Sequence, residues 1–192
     1  MVGTLTAEQF DEQQFDLPDC GRWHELESGE LVALQPPESL HGTVVLNLTR
    51  ALGDWLHSRG AEADGYTAFA VGLIVARCPD TVLRPPLTYF SGGSRFAQCG
   101  ETLTEEVPQI VLEVASTNDR RERMRERVRD YLALGVNTIW VADTDRKELN
   151  ILKKHEASML LAERHTLKAE QLLPGFSVQV KDLFFDPDAP IV

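Results

Sequence analysis

The stretch PQIVLEVAST, residues 108–117, constrains the fold of this chain more than any other. Ile110, Val111, Leu112 and Val114 make the nearly continuous apolar run of a strand that is covered on both faces. Glu113 stands in the middle of that run. A carboxylate removed from water without a partner costs several kcal/mol, so a chain folded around this strand must bring a cation or strong donors to Glu113.

The 192 residues suffice for one well-covered core and are too few for two ordinary domains, so a single domain over 1–192 is expected, with its core at about 5–185 and a tail at 186–192. Hydrophobic content of 43% and charged content of 26% are those of a globular protein. No apolar run approaches the ~18 residues of a membrane span, and the start, MVGTLTAEQFDEQQ, has no signal-peptide core, so no membrane association is expected. Cys20, Cys78 and Cys99 are scattered and lack metal-ligand spacing; reduced thiols of a cytoplasmic protein are the expectation. The net charge of −11 disfavours nonspecific attraction to DNA, RNA or anionic lipid. DRRERMRERVRD runs against it with six arginines between Arg120 and Arg129, but Asp119, Glu122, Glu126 and Asp130 punctuate the run, as on a solvated, salt-bridged helix face.

The local patterns predict a short first helix with Thr6 as N-cap and Gln9 completing a capping box. A hairpin follows around Ser28-Gly29, then a long helix near 40–59 stopped by Gly60. AFAVGLIVA and DTVLRPPLTYFS read as strands, the second broken by Pro85-Pro86, and 91–106 as a polar loop. After the Glu113 strand comes a helix over about 119–134, ended by Gly135, and then the buried strand NTIWVADT. ELNILKK, MLLAERHTL and FSVQV complete the pattern as antiparallel strands. The fold class is α/β, a central mixed sheet flanked by two main helices, with an N-terminal helix and hairpin. On the second helix Met124, Val128, Tyr131 and Leu132 face the sheet while Arg120, Arg123 and Arg127 flank that stripe. Arg127 is thereby placed to reach Glu113 as a bidentate ion pair.

Four motifs stand in order: HELESGEL with Glu25, PPESLHG before the first long helix, LEVAS with Glu113, and YLALGV followed by W-V-x-D. Together they resemble the putative restriction endonuclease family of the PD-(D/E)XK nuclease superfamily, over about Leu5 to Phe185. The resemblance implies a restriction-endonuclease-like fold and phosphodiester hydrolysis with Mg²⁺, a hard cation that prefers oxygen ligands. It implies that an aspartate on one strand, the glutamate on the next and a backbone carbonyl, here that of Val114, hold the metal. A lysine orients or activates the attacking water, and the hairpin glutamate completes the acidic cluster.

Carried over residue by residue, the resemblance puts Glu113 at the strand glutamate and Glu25 at the hairpin acid. The metal-binding aspartate falls on Pro86, and the helix lysine, four residues before Tyr131, falls on Arg127; the strand position two after Glu113 is Ala115. Proline has no carboxylate, and a guanidinium with a pKa above ~12 takes no proton from water. Asp80, six residues before Pro86, lies about 20 Å away if the chain is extended, too far to substitute. His41 reads as a cap or polar contact rather than a ligand, and Glu25, on a half-exposed hairpin, reads equally as a solvated acid. Three functional readings follow. The first is a nuclease-fold protein with an incomplete site, weak or inactive, kept for binding or regulation. The second is an active Mg²⁺-dependent DNA endonuclease with a rearranged site. The third is a self-associating structural protein of nuclease ancestry. A homodimer is expected from the two-fold pairing usual among restriction-type nucleases.

Overall fold

The computed structural model describes residues 4–60, 65–92 and 102–186. Helix α1 (Ala7–Gln13) begins with the capping box: the Thr6 hydroxyl accepts from the Gln9 N–H at 3.2 Å, and the Gln9 side chain accepts from the Thr6 N–H at 2.9 Å. Strands β1 (His24–Glu27) and β2 (Glu30–Ala33) form the hairpin. Ser28 and Gly29 both take positive φ, 50° and 79°, the combination that a two-residue type I′ turn requires. Helix α2 (Ser39–Arg59) buries Val44, Leu48 and Leu52 and stops at Gly60. Strands β3 (Tyr66–Ala68), β4 (Gly72–Ala76), β5 (Thr81–Leu83), β6 (Leu87–Phe90) and the two-residue β7 (Leu103–Thr104) lead to β8 (Ile110–Ala115). Helix α3 (Asn118–Leu134), closed by Gly135 in the left-handed region, is followed by β9 (Thr138–Asp143), β10 (Glu148–Lys153) and β11 (Met159–Ala162). Strands β12 (Thr166–Lys168) and β13 (Ser177–Gln179) and the single-turn α4 (Val180–Leu183) complete the described chain.

The central sheet has six strands in the order β11-β10-β9-β8-β6-β3, with β8 and β9 parallel and the other pairs antiparallel. Alternation along β8 divides its side chains between two cores. Ile110, Leu112 and Val114 pack with Val44, Leu48 and Leu52 of α2, whereas Val111 and Ala115 pack with Val128 and Tyr131 of α3. The two main helices therefore lie on opposite faces, as expected, and Glu113 shares the α3 face.

The sequence pattern does not divide the strands between sheets. A second, five-stranded sheet in the order β2-β1-β5-β4-β7 stands beside the central one, so the hairpin and the strands at 72–83 do not join the β8 sheet. The chain crosses from the second sheet to the central one between β5 and β6, through Arg84-Pro85-Pro86. A proline pair suits a segment that leaves one ladder before entering another, because it has no N–H to donate.

The C-terminal strands also differ from the pattern reading. MLLAERHTL is two strands, because the Ala162 N–H donates to His165 Nδ1 at 2.9 Å and the His165 N–H to the Ala162 carbonyl at 2.8 Å, which closes a turn. The FSVQV strand ends at Gln179; the Val180 N–H bonds the His165 carbonyl and α4 begins. Within the loop expected at 91–106, β7 is a short strand paired with β4; 93–101, with Cys99, and 187–192 of the tail lie outside the described residues. Cys20 and Cys78 are free and exposed. Among the described residues no helix is long and apolar enough to cross a membrane.

Candidate functional site

Glu113 from the central sheet, Glu25 from the second sheet and Arg127 from α3 converge at one buried point. Glu113 and Glu25 are each 1% exposed and Arg127 is 4% exposed, so Glu25 is not the solvated acid of a half-exposed hairpin: the second sheet and α3 cover it. Arg127 Nε and Nη2 donate to Glu113 Oε1 at 3.0 and 2.7 Å, and its Nη1 donates to Glu25 Oε2. The Tyr131 hydroxyl, one helical turn beyond Arg127, donates to the same Glu113 Oε1 at 2.5 Å and accepts from Arg127 Nη2 at 3.2 Å. The remaining oxygen of Glu25 accepts the Arg84 backbone N–H at 2.6 Å. The fork is thus not the two-oxygen pair expected. Because Nη1 is turned to Glu25, the Nε–Nη2 edge meets Glu113 at a single oxygen, and Glu113 Oε2 is buried without a partner among the described residues.

The charges explain the arrangement. Burial works to lower the Arg127 pKa, but the neighbouring Glu113 and Glu25 charges outweigh it and hold the guanidinium well above its ordinary value. Burial raises the Tyr131 hydroxyl well above its ordinary value, with Glu113 and Glu25 adding to the effect and Arg127 opposing it, so it remains a donor. One cation between two carboxylates leaves the trio one negative charge in excess. It also ties a strand of each sheet to one helix.

Beside this clamp lies a cleft of about 210 Å³ lined by Glu25, Pro86, Arg84, Arg120, His41 and Trp23 among others. His41 Nδ1 is 3.0 Å from the Ser116 hydroxyl, which links the first turn of α2 to the end of β8. Burial, reinforced by the Arg120 charge, lowers the His41 pKa to about 4. Arg120 is 6% exposed, and its side chain makes no hydrogen bond or ion pair among the described residues.

The family model described as putative restriction endonuclease (Uma2) matches residues 7–181. The chain belongs to that family. A search of curated proteins finds no match. Among solved structures, the fold is similar to a crystal structure titled as a putative nuclease belonging to DUF820 from Anabaena variabilis ATCC 29413. The TM-score is 0.74 at 14% identity, covering 94% of this chain and 97% of that one. At that identity the likeness speaks for the fold: a mixed α/β, nuclease-like architecture.

For this member of the putative restriction endonuclease family, the residues carried over by motif fall in one neighbourhood. Glu25, Glu113 and Arg127 are in direct contact, and Pro86 lines the cleft that Glu25 also borders. The Val114 carbonyl accepts the Ser116 N–H at 3.0 Å. Asp80 is engaged elsewhere, accepting from the Ala7 N–H at 2.8 Å, the Cys78 N–H at 3.1 Å and Arg77 Nη1 at 2.9 Å. Arg123 pairs with Glu27 at 2.5 Å and Arg121 with Asp145 at 2.9 Å, which gives part of the arginine run the salt-bridged character expected. Sequence reasoning missed the Tyr131 hydroxyl as a donor to Glu113, the Arg84 N–H as a donor to Glu25, and Arg120 as a buried cation. The spacing of Tyr131 four residues after Arg127 was the available signal for the first. Nothing local signals the other two, which depend on how the two sheets meet. Among the described residues no three His, Cys, Asp or Glu side chains are grouped as metal ligands.

Proposed function

We propose that this protein is a nuclease-fold member whose metal site has become an ion-pair clamp, weak or inactive as a nuclease and retained for binding or regulation. The observation that carries the reading is Arg127 seated between Glu25 and Glu113. The residues present do not suit Mg²⁺. The cation prefers octahedral oxygen ligands and keeps several waters. Glu25 has both oxygens engaged and Glu113 has one free, Pro86 contributes no carboxylate, and a fixed guanidinium occupies the space between the acids. A divalent ion there would meet the Arg127 charge in a poorly screened interior. The arginine also cannot serve as a base towards water.

The test is calorimetric titration with Mn²⁺ and a supercoiled-plasmid assay with Mg²⁺. The unmodified protein is expected to bind the metal weakly and to cut negligibly. Pro86→Asp combined with Arg127→Lys is expected to strengthen metal binding, whereas neither change alone suffices: aspartate alone leaves the guanidinium in place, and lysine alone leaves the cation short of a ligand. Metal-dependent cleavage by the unmodified protein, abolished by Glu113→Ala, would establish instead an active endonuclease with a rearranged site.

A further inference from the structure

We infer that the free edge of β2 pairs with β2 of a second copy of this chain, antiparallel about a two-fold axis at Val32, so that the second sheets of two molecules join into one. The inference is independent of whether the buried site binds metal.

The direction of the backbone groups is the first reason. The Leu34 N–H donates to the Trp23 carbonyl at 2.7 Å, one step beyond the His24–Ala33 pair of the hairpin. Bonded and non-bonded pairs alternate along an antiparallel ladder. Glu25–Val32 is therefore a bonded pair, whereas Leu26–Leu31 and His24–Ala33 turn their N–H and C=O groups away from the hairpin. On β1 the outward groups of Leu26 face Val82 of β5. On β2, the last strand of its sheet, those of Leu31 and Ala33 meet no hydrogen-bond partner among the described residues.

The side chains are the second reason. Sheets keep an edge single with charges, prolines, bulges or a covering element. Apart from its length of four residues, β2 has little of this: its register with β1 is regular, it holds no proline, and Glu30 is its one charge. Leu31 is 41% exposed and Ala33 is exposed, so the edge is open to a strand and apolar enough to gain from one.

The occupant follows from the symmetry of the free groups. With the axis at Val32, Leu31 of each copy stands opposite Ala33 of the other, and each pair exchanges two N–H···O=C bonds. Every free group of Leu31 and Ala33 is thereby used, and no other group is needed. A shift towards the turn would call on Gly29, whose N–H already donates to the Asp80 carbonyl at 2.7 Å and whose carbonyl accepts the Leu5 N–H at 2.8 Å. A shift the other way would call on Gln35, whose N–H donates to Asp119 Oδ2 at 2.9 Å. The same register sets Glu30 opposite Leu34 of the other copy and about 13 Å along the strands from its own equivalent, so the two acids do not oppose each other. A strand of this length makes a contact at the small end of specific interfaces, so a reversible dimer of micromolar order is expected rather than a permanent one, roughly 1–100 µM in Kd.

The experiment is sedimentation equilibrium of the full chain under reducing conditions, from about 1 µM to about 500 µM, a range that brackets such an affinity. A concentration-dependent rise from monomer to dimer mass is expected. Ala33→Pro removes one outward N–H from each copy and leaves the β1 ladder intact, because that N–H points away from β1. It should weaken the dimer at least about tenfold with an unchanged circular-dichroism spectrum. Should Ala33→Pro fail to fold, disulfide trapping decides. Val32→Cys places two thiols on the axis, where the Cα atoms of a non-bonded pair are about 4.5 Å apart, within disulfide reach. It should cross-link under mild oxidation well beyond the background set by the native cysteines, whereas Glu30→Cys should stay at that background. A monomer mass throughout the range, an unweakened dimer in folded Ala33→Pro, or cross-linking of Glu30→Cys equal to that of Val32→Cys would overturn the inference.

Discussion

Replacing Arg127 by methionine tests the clamp most directly, because it keeps most of the side-chain volume and removes the charge. Arg127 donates to Glu113 through Nε and Nη2 and to Glu25 through Nη1, and all three residues are at least 95% buried. Breaking a buried ion pair by removing one partner costs about 3–5 kcal/mol, since the other charge remains without compensation. Here two carboxylates are left, with only the Tyr131 hydroxyl and the Arg84 N–H among the described residues to satisfy them. A loss of about 4 kcal/mol in urea denaturation at pH 7 is expected, equivalent to about 8–16 °C in Tm for a chain of this size. Adding Glu25→Gln and Glu113→Gln to Arg127→Met should recover most of the stability, because the uncompensated charge is then absent. A loss below about 1 kcal/mol for Arg127→Met, or no recovery in the triple variant, would refute the argument that the clamp neutralises the two acids.

Tyr131→Phe removes one donor to Glu113 Oε1 and should cost about 1.5–3 kcal/mol by denaturation, the range for a hydrogen bond to a charged group; a change within error would mean Arg127 suffices alone. His41 is held at about 4 against an unfolded value of 6.5, so unfolding takes up a proton between these values. The stability associated with neutral His41 is complete above pH 6.5 and is lost as the pH falls towards 4, by about 3 kcal/mol in all; His41→Gln should flatten this part of the profile, and an unchanged slope would contradict the burial argument. Gly29 has φ 79° and a Cβ there would lie 2.6 Å from Thr4 Cβ, so Gly29→Ala should lose roughly 1–2 kcal/mol in thermal denaturation, and a neutral outcome would show that the turn can shift.

What was legible in the sequence was what local chemistry controls. Thr6 and Gln9 announce the first helix because a capping box is complete within four residues, and Ser28-Gly29 announces the hairpin because few pairs tolerate two positive φ values. Glu113 stood out because the strand around it is otherwise apolar, and Arg127 because its place beside the sheet-facing stripe of α3 follows from helical periodicity. The second sheet was invisible for the opposite reason. Leu26 of β1 pairs with Val82 of β5, and no local pattern records a contact across that stretch of chain. The same long-range geometry brings the Arg84 N–H to Glu25 and Arg120 to the cleft. The C-terminal split was missed because the turn at His165 is closed by a side-chain nitrogen, in a segment with no Gly or Pro to mark it.

On the function proposed above, the residues at 86 and 127 are linked by charge. Two buried carboxylates with one guanidinium leave a single excess negative charge, partly met by the Tyr131 hydroxyl and the Arg84 N–H. A carboxylate at position 86, on the cleft wall that Glu25 also borders, would add a second. A divalent metal leaves three acids with one negative charge in excess; a single arginine leaves them with two. On the reading proposed above, an arginine at 127 in place of a metal makes a neutral residue at 86 the stable choice, and proline fits a segment that passes between two ladders. On this argument Glu25 and Glu113 have a structural role without catalysis, since they anchor a side chain that ties β1, β8 and α3 together. Pro86→Asp in the Arg127 background should therefore lower stability at pH 7 and lower it less at pH 4, as the added carboxyl is neutralised. Equal stability of Pro86→Asp and the unmodified protein at pH 7 would uncouple the two positions.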